Sequence, residues 1–582
     1  MQNLITQREL SSVERDELGS YNHLLAHLLF HRGVTKRDEA ERFLNPNYET
    51  DLHDPFLMMN MDKAVDRILS AIAHEEKIVI YGDYDCDGIP GSTILHDFFK
   101  KISYKNFYVY IPHRHLEGYG LNIGAINKFA DDNVKLLITV DNGITDVEEV
   151  NRANEFGIDV IITDHHLPQE KIPKAFAILN SKQADDKYPF NMLCGAGVAF
   201  KLVQALVQKW NGSPSMRLGT TGGLIPAGWE KWLLDMAGLS TIADMVPLQG
   251  ENRVLAYFGL KVLQRSSRPG LQKLLSKAKV NQSVLTEEDI GFTIGPRINA
   301  ASRMGEPIYG FKLLSTRDEV ESGIFADYLE QKNNERKRVV SAMMKEIDKI
   351  MQNDQGSAVI VVGNKEWAPG VVGLAAGKIA DKYKRPAFVW GKEGASEIKG
   401  SCRSDGLVNI VDLMVASSEN LFLGMGGHAL AGGFSVSEDN VGKLEEALSR
   451  AYIQLRESSV SSLTDEVVVD KKIDIDDVTI SNCELINKMA PFGTGNKKPI
   501  FLLEGLEIAH VNFFGSKQDH LRLDFKNSWG EVVSAILFYY KEKCKEDLSV
   551  GDLISMIAHM EIDTFGYKPR ARLRIVDIHK FI

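Results

Sequence analysis

The sequence predicts an α/β protein: a doubly wound, mainly parallel sheet is joined by a long helix to a smaller α/β unit, and a β-barrel follows. Three observations predict it. Between about residues 76 and 310, apolar strand-like runs alternate with helical ones, as parallel strands joined by crossover helices do. Asp318 to Gln352 reads as one charged helix without proline, and without glycine after Gly323. Beyond residue 461, short strand-like segments separated by turns suggest a barrel.

Residues 1–75 read as helices. Leu24, Leu25, Leu28, Leu29 and Phe30 form an apolar face, and the run from Thr35 to Leu44 begins on a capping threonine and stops at Asn45-Pro46. Residues 76–315 carry strands at 77–80, 107–111, 136–140, 159–163 and 177–179, and the Gly-, Ser- and Pro-rich stretch 211–223 reads as a surface loop. The connecting helix occupies 316–353. Its apolar stripe is Val320, Ile324 and Tyr328, then Val340, Met343, Ile347 and Ile350. The smaller α/β unit, 354–460, has strands at 358–362 and 387–390 around a helix at 371–383, and the barrel occupies 461–582.

At 582 residues the chain is too long for one core, and its 44% apolar and 25% charged residues are ordinary for a soluble protein. No apolar run nears the roughly 20 residues of a membrane helix. Residues 1–8 lack a basic region followed by a long apolar core, so no signal peptide is expected. Cys86, Cys194, Cys402, Cys483 and Cys544 show no CxxC spacing, which argues against a zinc site or disulfide framework and fits a reducing cytoplasm. Cys86 and Cys402 read as small packing residues within motifs. A net charge of −11 disfavours nucleic acid at first sight. Carboxylates that hold metal ions are counted without the ions, however, so acidity does not exclude DNA.

Tyr81-Gly82-Asp83-Tyr84-Asp85-Cys86-Asp87-Gly88 sets three carboxylates in a tight turn directly after a strand. Acids this close repel one another unless cations sit among them, and hard Mg²⁺ and Mn²⁺ prefer carboxylate oxygen. The arrangement recurs: 136–140 runs into Asp141-Asn142-Gly143, and 159–163 into Asp164-His165-His166. Three strands thus deliver acids or histidines at their C-terminal ends, where open α/β sheets build their sites. Two divalent ions about 3.5–4 Å apart could activate water and clamp the attacking and leaving oxygens of a phosphodiester. Asp83, Asp85, Asp87, Asp141 and His165 are the expected ligands, with Asp141 as the bridge, and not all three acids of the first turn need touch metal directly; His166 either contacts the scissile phosphate or is a buried structural histidine. Asp146 and Asp164 read as helix caps, Asp164 also orienting His165.

The DxDxDG turn, the Asp-Asn-Gly turn and the Asp-His-His triplet resemble the DHH phosphoesterase superfamily. The chain is most similar to its bacterial RecJ branch, the single-strand-specific 5′→3′ DNA exonucleases. Segments 117–121, 242–248, 295–304 and 426–429 spread the resemblance over nearly the whole chain, with Ser302 standing where glycine is expected. The resemblance implies that 354–460 is a DHHA1 substrate-binding domain and that 461–582, with its Pro491-Phe492-Gly493-Thr494-Gly495-Asn496 segment, is an OB fold for single strands. It adds Asp244 to the ligands and implies two Mn²⁺ or Mg²⁺ ions as cofactor.

The resemblance also places Arg114, Arg297, Asn299, Arg303, Ser401 and Arg403 near the scissile phosphate or in a 5′-end pocket. The guanidinium fork suits phosphate oxygens, although a single arginine is more often a surface salt bridge. In the glycine-rich segment 424–433, which is no Walker A loop, Gly426 and Gly427 would let the backbone approach a ligand and His428 would bond phosphate from a helix start. A bare tight turn is the alternative. Arg570, Arg572 and Arg574 recur with period two, so on a strand they share one face with Lys568, next to Phe565 and Tyr567. Contact with a single strand's phosphates and bases, or a solvated edge strand, are the alternatives.

The expected function is hydrolysis of single-stranded DNA from the 5′ end to 5′-mononucleotides, in repair and recombination, by a cytoplasmic monomer that needs no membrane. The resemblance further implies a single-strand-binding protein and a RecQ-type helicase as partners. One rival is a small-molecule or oligonucleotide DHH phosphatase, which would leave the C-terminal barrel without a purpose. The other is a non-catalytic DNA-binding scaffold, which would lose ligands that are all present here.

Overall fold

The computed structural model describes residues 4–6, 10–212, 223–354, 356–394, 397–417, 420–458, 467–544, 547–563 and 568–580. Leu4–Thr6 (β1) pairs in parallel with Val467–Val469 (β12), and the helices Ser12–Leu18, His23–Phe30 and Arg37–Leu44 share one core with the C-terminal unit. Leu28 and Ala40 pack in the same cluster as Phe501, Leu523 and Leu573. Residues 10–44 therefore do not stand apart as the sequence reading had them. Arg32 fixes the union by donating to Asp470 Oδ1 (3.0 Å) and Asn496 Oδ1 (2.9 Å). Only the next helix, Met61–Ala73, packs on the first sheet.

That sheet holds Lys77–Gly82 (β2), Phe107–Tyr110 (β3), Val134–Val140 (β4), Asp159–Thr163 (β5) and Ala177–Leu179 (β6), all parallel, in the order β3-β2-β4-β5-β6. Alternation along β2 divides its side chains: Ile78 and Ile80 enter one core, Val79 and Tyr81 the other. Helices Met61–Ala73, Gly88–Lys101 and Gly195–Gly212 cover the first face, Ile123–Asp131 and Val147–Glu155 the second. Both faces are buried, so the strands are near-continuous runs of Val, Ile and Leu. Chain direction across the sheet reverses between β2 and β4, and ligands bind at such a switch point.

The connecting helix, Glu319–Met351, buries Ser322, Ala326, Leu329 and Asn333, then Val340, Met343 and Ile347. Val320, Ile324 and Ile350 are exposed, so the predicted stripe is out of phase in its first half. Small residues face the neighbouring helices there, and hydrophobicity alone does not mark them. The next sheet comprises Ile360–Asn364 (β7), Ala387–Gly391 (β8), Ile398–Arg403 (β9), Gly424–His428 (β10) and Ala431–Val436 (β11), ordered β10-β11-β9-β8-β7 with only β7 and β8 parallel.

The C-terminal sheet runs Lys471–Lys472 (β13), Phe501–Glu507 (β14), Leu553–Asp563 (β18), Arg570–Lys580 (β19), Val532–Leu537 (β17), His520–Lys526 (β16) and His510–Phe514 (β15) from edge to edge. Leu503 of β14 and Leu523 of β16 meet in one core, so the sheet curls into an OB-type unit. Phe565 and Tyr567, and residues 213–222 of the predicted loop, lie outside the described residues. No helix among the described residues is long and apolar enough to cross a membrane.

Candidate active site

The acidic turn follows β2 and is held shut from several sides. Asp85 Oδ1 accepts from the N–H of Asp87 (2.8 Å) and Gly88 (3.3 Å), and a Cβ at Gly88 would lie 2.5 Å from the Asp83 backbone, so only glycine closes the turn. Asn299 Oδ1 accepts the Cys86 N–H at 2.8 Å. Asp87 caps the helix Gly195–Gly212: its oxygens accept the N–H groups of Gly195 (2.6 Å) and Ala196 (2.7 Å), and the Ser240 hydroxyl. Asp141, at the end of β4, has φ 65°, a strained value for a residue with a Cβ.

These turns converge on His165. Its Nε2 lies 3.2 Å from Asp141 Oδ1, 3.6 Å from Asp87 Oδ2 and 3.7 Å from Asp244 Oδ2. Three groups place one ligand atom per residue within 4.8 Å of one another: Asp83, Asp85 and Asp141; Asp87, His165 and Asp244; and Asp141, His165 and His166. Asp141 belongs to two of them. All seven residues named from the sequence for this centre are therefore brought together.

Asp164 corrects one reading. Its Oδ1 accepts from His166 Nδ1 at 2.7 Å, so the imidazole it orients is that of His166 and not that of His165. It also accepts the N–H groups of His165 (2.7 Å) and Ile144 (3.0 Å). Asp146 begins the helix Val147–Glu155 without a side-chain cap; its Oδ2 accepts the Leu121 N–H at 2.7 Å. Tyr119, which carried no role in the sequence reading, donates its hydroxyl to the Asp141 carbonyl (3.1 Å) and stands 3.0 Å from His166 Nδ1. Its place between Gly118 and Gly120 was the available signal.

The cluster's charges are not balanced from within. Burial, then mutual repulsion, holds Asp83 and Asp141 well above the usual carboxylate range and raises Asp85. Burial with Asp87 and Asp85 pushes Asp244 up to about 9. Burial takes His165 down to about 4; in His166 burial is outweighed by the Asp164 hydrogen bond and charge, and the net shift is upward. Among the described residues Asp83 Oδ1, Asp141 Oδ1 and His165 Nδ1 are buried without a hydrogen-bond partner, the 3.2 Å approach of His165 Nε2 to Asp141 Oδ1 being a close contact without hydrogen-bond geometry. Buried acids and imidazole with free lone pairs, and among the described residues no ammonium or guanidinium within ion-pair distance, are the donor set a hard divalent cation requires; Arg114 and Lys182 ease the acids' charge only from further off. The residues fit Mn²⁺ or Mg²⁺.

Beside the cluster, a cleft of about 830 Å³ opens between the first α/β unit and the second, with Arg114, Tyr119 and Arg303 on one wall and Lys399, Gly400 and Phe434 on the other. Arg114 lies over the Tyr84 ring, 4.8 Å from its centroid. Arg303 Nη1 reaches across to the Gly370 carbonyl at 2.9 Å. Burial and the charges of Arg114, Arg336 and Arg403 push Arg303 down to about 9. Arg403 Nη1 donates to its neighbour Cys402's carbonyl at 2.8 Å, and Ser401 sits beside it on β9, facing Gly373. The sequence reading missed Arg336 and Asn333 on the connecting helix. Arg336 Nη2 donates to Asn333 Oδ1 at 2.9 Å, while Arg336 Nε and Asn333 Nδ2 are buried without acceptors among the described residues.

Other expected contacts are redirected. Arg297 is ion-paired with Glu330 (2.6 Å) and donates to the Thr293 carbonyl (2.9 Å), so it ties its helix to the connecting helix and does not line the cleft. Asn299 serves the acidic turn. Ser302 sits in ordinary helix, its hydroxyl donating to the Asn299 carbonyl at 3.0 Å, so glycine is not needed there. Gly426, Gly427 and His428 lie on the exposed edge strand β10, which turns through Ala429-Leu430 into β11, and no helix starts there. A Cβ at Gly427 (φ 150°) would lie 2.4 Å from the Ala431 carbonyl. Arg570, Arg572 and Arg574 share a face of β19, but Arg572 pairs with Glu561 (2.7 Å) and Asp563 (3.1 Å), and Arg574 with Glu288 (2.8 Å). Arg570 alone is exposed.

Models of the DHH family N-terminal domain, the DHHA1 domain and the RecJ OB domain match residues 77–221, 354–455 and 469–577. The single-stranded-DNA-specific exonuclease RecJ of Bacillus subtilis is 35% identical over 95% of this chain and 67% of its own. That of Haemophilus influenzae is 30% identical over 94% of each chain. The chain belongs to the RecJ family. The crystal structure of RecJ from Thermus thermophilus in complex with Mn²⁺ matches this chain with a TM-score of 0.81 at 25% identity, covering 100% of this chain and 79% of that one. A manganese-bound exonuclease RecJ matches with a TM-score of 0.59 at 30% identity, covering 70% of this chain and 98% of its own. The RecJ architecture of DHH, DHHA1 and OB domains is the order the sequence predicted.

Proposed function

We propose that the protein is a metal-dependent exonuclease that hydrolyses single-stranded DNA from the 5′ end and releases 5′-mononucleotides. The observation that carries this reading is the partnerless cluster of acids and histidine at the sheet's switch point, opening beside a cleft lined with arginines. Asp83, Asp85 and Asp141 would hold one divalent ion; Asp87, His165 and Asp244 the other, with Asp141 shared. Bound there, the ions supply Lewis-acid activation of water and neutralise charge on the phosphate.

The chain's own residues do the rest. Asp164 fixes the His166 ring through Nδ1 and favours its protonated form, leaving Nε2 to donate to a phosphate oxygen or to the leaving group. Arg114, Arg303 and Arg403 take the phosphates on either side of the scissile bond, and Arg336 with Asn333 presents donors that lack an acceptor. Asn299 and the Asp87 cap keep the acidic turn from relaxing when the acids ionise. The reading includes a cytoplasmic monomer that meets a single-strand-binding protein and a RecQ-type helicase.

Digestion of 5′- and 3′-labelled single strands, with duplex and dinucleotide controls in Mn²⁺, tests the proposal. Release of labelled mononucleotide first from the 5′-labelled strand is expected. Equal release from both ends, or hydrolysis of dinucleotides alone, would refute it.

A further inference from the structure

The helix Gly88–Lys101 starts at the acidic turn and, about 21 Å away by its 1.5 Å rise per residue, ends at a second concavity of about 790 Å³. Its floor is a closed ionic network: Arg268 pairs with Asp235 (2.7 Å) and Asp97 (2.8 Å), and the Ser266 hydroxyl donates to Asp235 (2.9 Å). Those groups are satisfied and hold the floor rigid. The rim is not satisfied. Lys100, Lys101 and Lys312 line it without a carboxylate in ion-pair distance among the described residues. Their ammonium groups lie over aromatic rings instead, Lys101 5.9 Å from the Trp229 centroid and Lys312 5.1 Å from that of Tyr309. Trp232, on the same wall, is 60% exposed.

Three ammonium groups thus stand beside an exposed indole, with Glu321 the one lining carboxylate outside the floor network. The volume falls in the range of small-ligand sites. Ammonium groups suit a phosphate, and an indole face suits a nucleobase. We propose that this concavity binds a nucleoside 5′-monophosphate, at a site separate from the cleft and independent of whether the cleft hydrolyses DNA. The phosphate meets Lys101 and Lys312, and the base lies against Trp232.

The test is calorimetric titration of 5′-dAMP into the full-length protein in excess EDTA, followed in parallel by tryptophan fluorescence. Saturable binding is expected, weakened at least about tenfold by Lys101→Gln with Lys312→Gln, the loss of two charged contacts, and by Trp232→Ala, the loss of one stack. Arg403→Ala, on β9 beside the cleft, should leave it unchanged, and adenosine should bind at least about tenfold more weakly than 5′-dAMP. The substituted side chains are on the rim, and an unchanged thermal transition verifies folding. No saturable binding, binding lost in Arg403→Ala but kept in the rim variants, or capture of an acidic peptide but not of 5′-dAMP would each overturn the proposal.

Discussion

Two sets of charged side chains in this protein look equally purposeful as sequence and differ in the structure. The acids at 83–87, 141 and 244 gather with no cation paired to them among the described residues, and Asp83 Oδ1 and Asp141 Oδ1 are buried without a hydrogen-bond donor. The arginines of β19 line up on one face as their spacing requires, yet Arg572 and Arg574 are neutralised by Glu561, Asp563 and Glu288. The contrast repeats on one short helix, Gly295–Met304, where Arg297 is paired with Glu330 and Arg303 faces the cleft without a carboxylate partner. Charge that the fold leaves uncompensated is charge held for a ligand; charge that it compensates is holding the fold together.

Substitutions on each side of that contrast should separate the two roles. Asp141→Ala removes the acid shared by two candidate ion sites and should lower the hydrolysis rate by about 10³-fold or more, a loss of ~4 kcal/mol in transition-state stabilisation, while binding of single strands persists. Near-normal turnover in saturating Mn²⁺ would remove Asp141 from the centre. Arg303→Ala should reduce kcat/KM on single strands by about 10- to 100-fold, the cost of one charged contact of ~1.5–3 kcal/mol, with little change in unfolding midpoint. Arg297→Ala should do the reverse, costing about 1–3 kcal/mol of stability because it leaves the half-buried Glu330 without its ion pair and with the Asn334 amide (3.2 Å) as its remaining donor among the described residues, with kcat/KM within about threefold. If the two variants behave alike, pairing does not separate ligand contacts from structural ones.

The smallest effect is expected at β19. Replacing Arg570, Arg572 and Arg574 with Gln should lower the salt slope of single-strand binding by about one phosphate contact, ~0.7 in log–log units, because of the three only Arg570 has no ion pair among the described residues. A drop near two units would show that the ion pairs open for DNA. Glu288, whose carboxyl burial would push up but Arg574 and Lys498 hold below its ordinary range, adds a pH signature. Its folded value lies below its unfolded one, so its stabilising contribution is present above the unfolded pKa and fades as pH falls through the folded value. Arg574→Gln should flatten that acid limb of the melting curve.

Much of the site was legible because it is local. Strand–acid junctions at 83, 141 and 164 state both the sheet and its functional edge, and Asp141 and His165 meet because adjacent parallel strands end side by side. What stayed hidden depends on partners far along the chain. Glu288 is 286 residues from Arg574, Asn299 is 213 from Cys86, and Arg32 is 438 from Asp470; no spacing rule reaches so far. The misphased stripe on the connecting helix has another cause. Ser322 and Ala326 are buried because they are small enough for close helix packing, a criterion of shape that a search for apolar residues does not apply. Nothing in the spacing singles out Arg336 on the charged helix, since only burial reveals that its Nε lacks an acceptor among the described residues.

If the acid cluster is held for divalent cations, the ion-free protein must bear its repulsion. Asp244, with a folded pKa near 9 against about 4 unfolded, binds a proton in the native state that the unfolded chain has lost, as do Asp83 and Asp141 with their raised values. Stability without metal should therefore fall as pH rises above about 4 and go on falling towards 9. Measuring the thermal midpoint from pH 5 to 9, with EDTA or with Mn²⁺, tests this directly. The midpoint in EDTA should drop with rising pH and Mn²⁺ should restore it, most strongly at the alkaline end, with the restoration reduced in Asp141→Ala. A midpoint indifferent to Mn²⁺ at pH 9 would mean that these acids are not held for a cation.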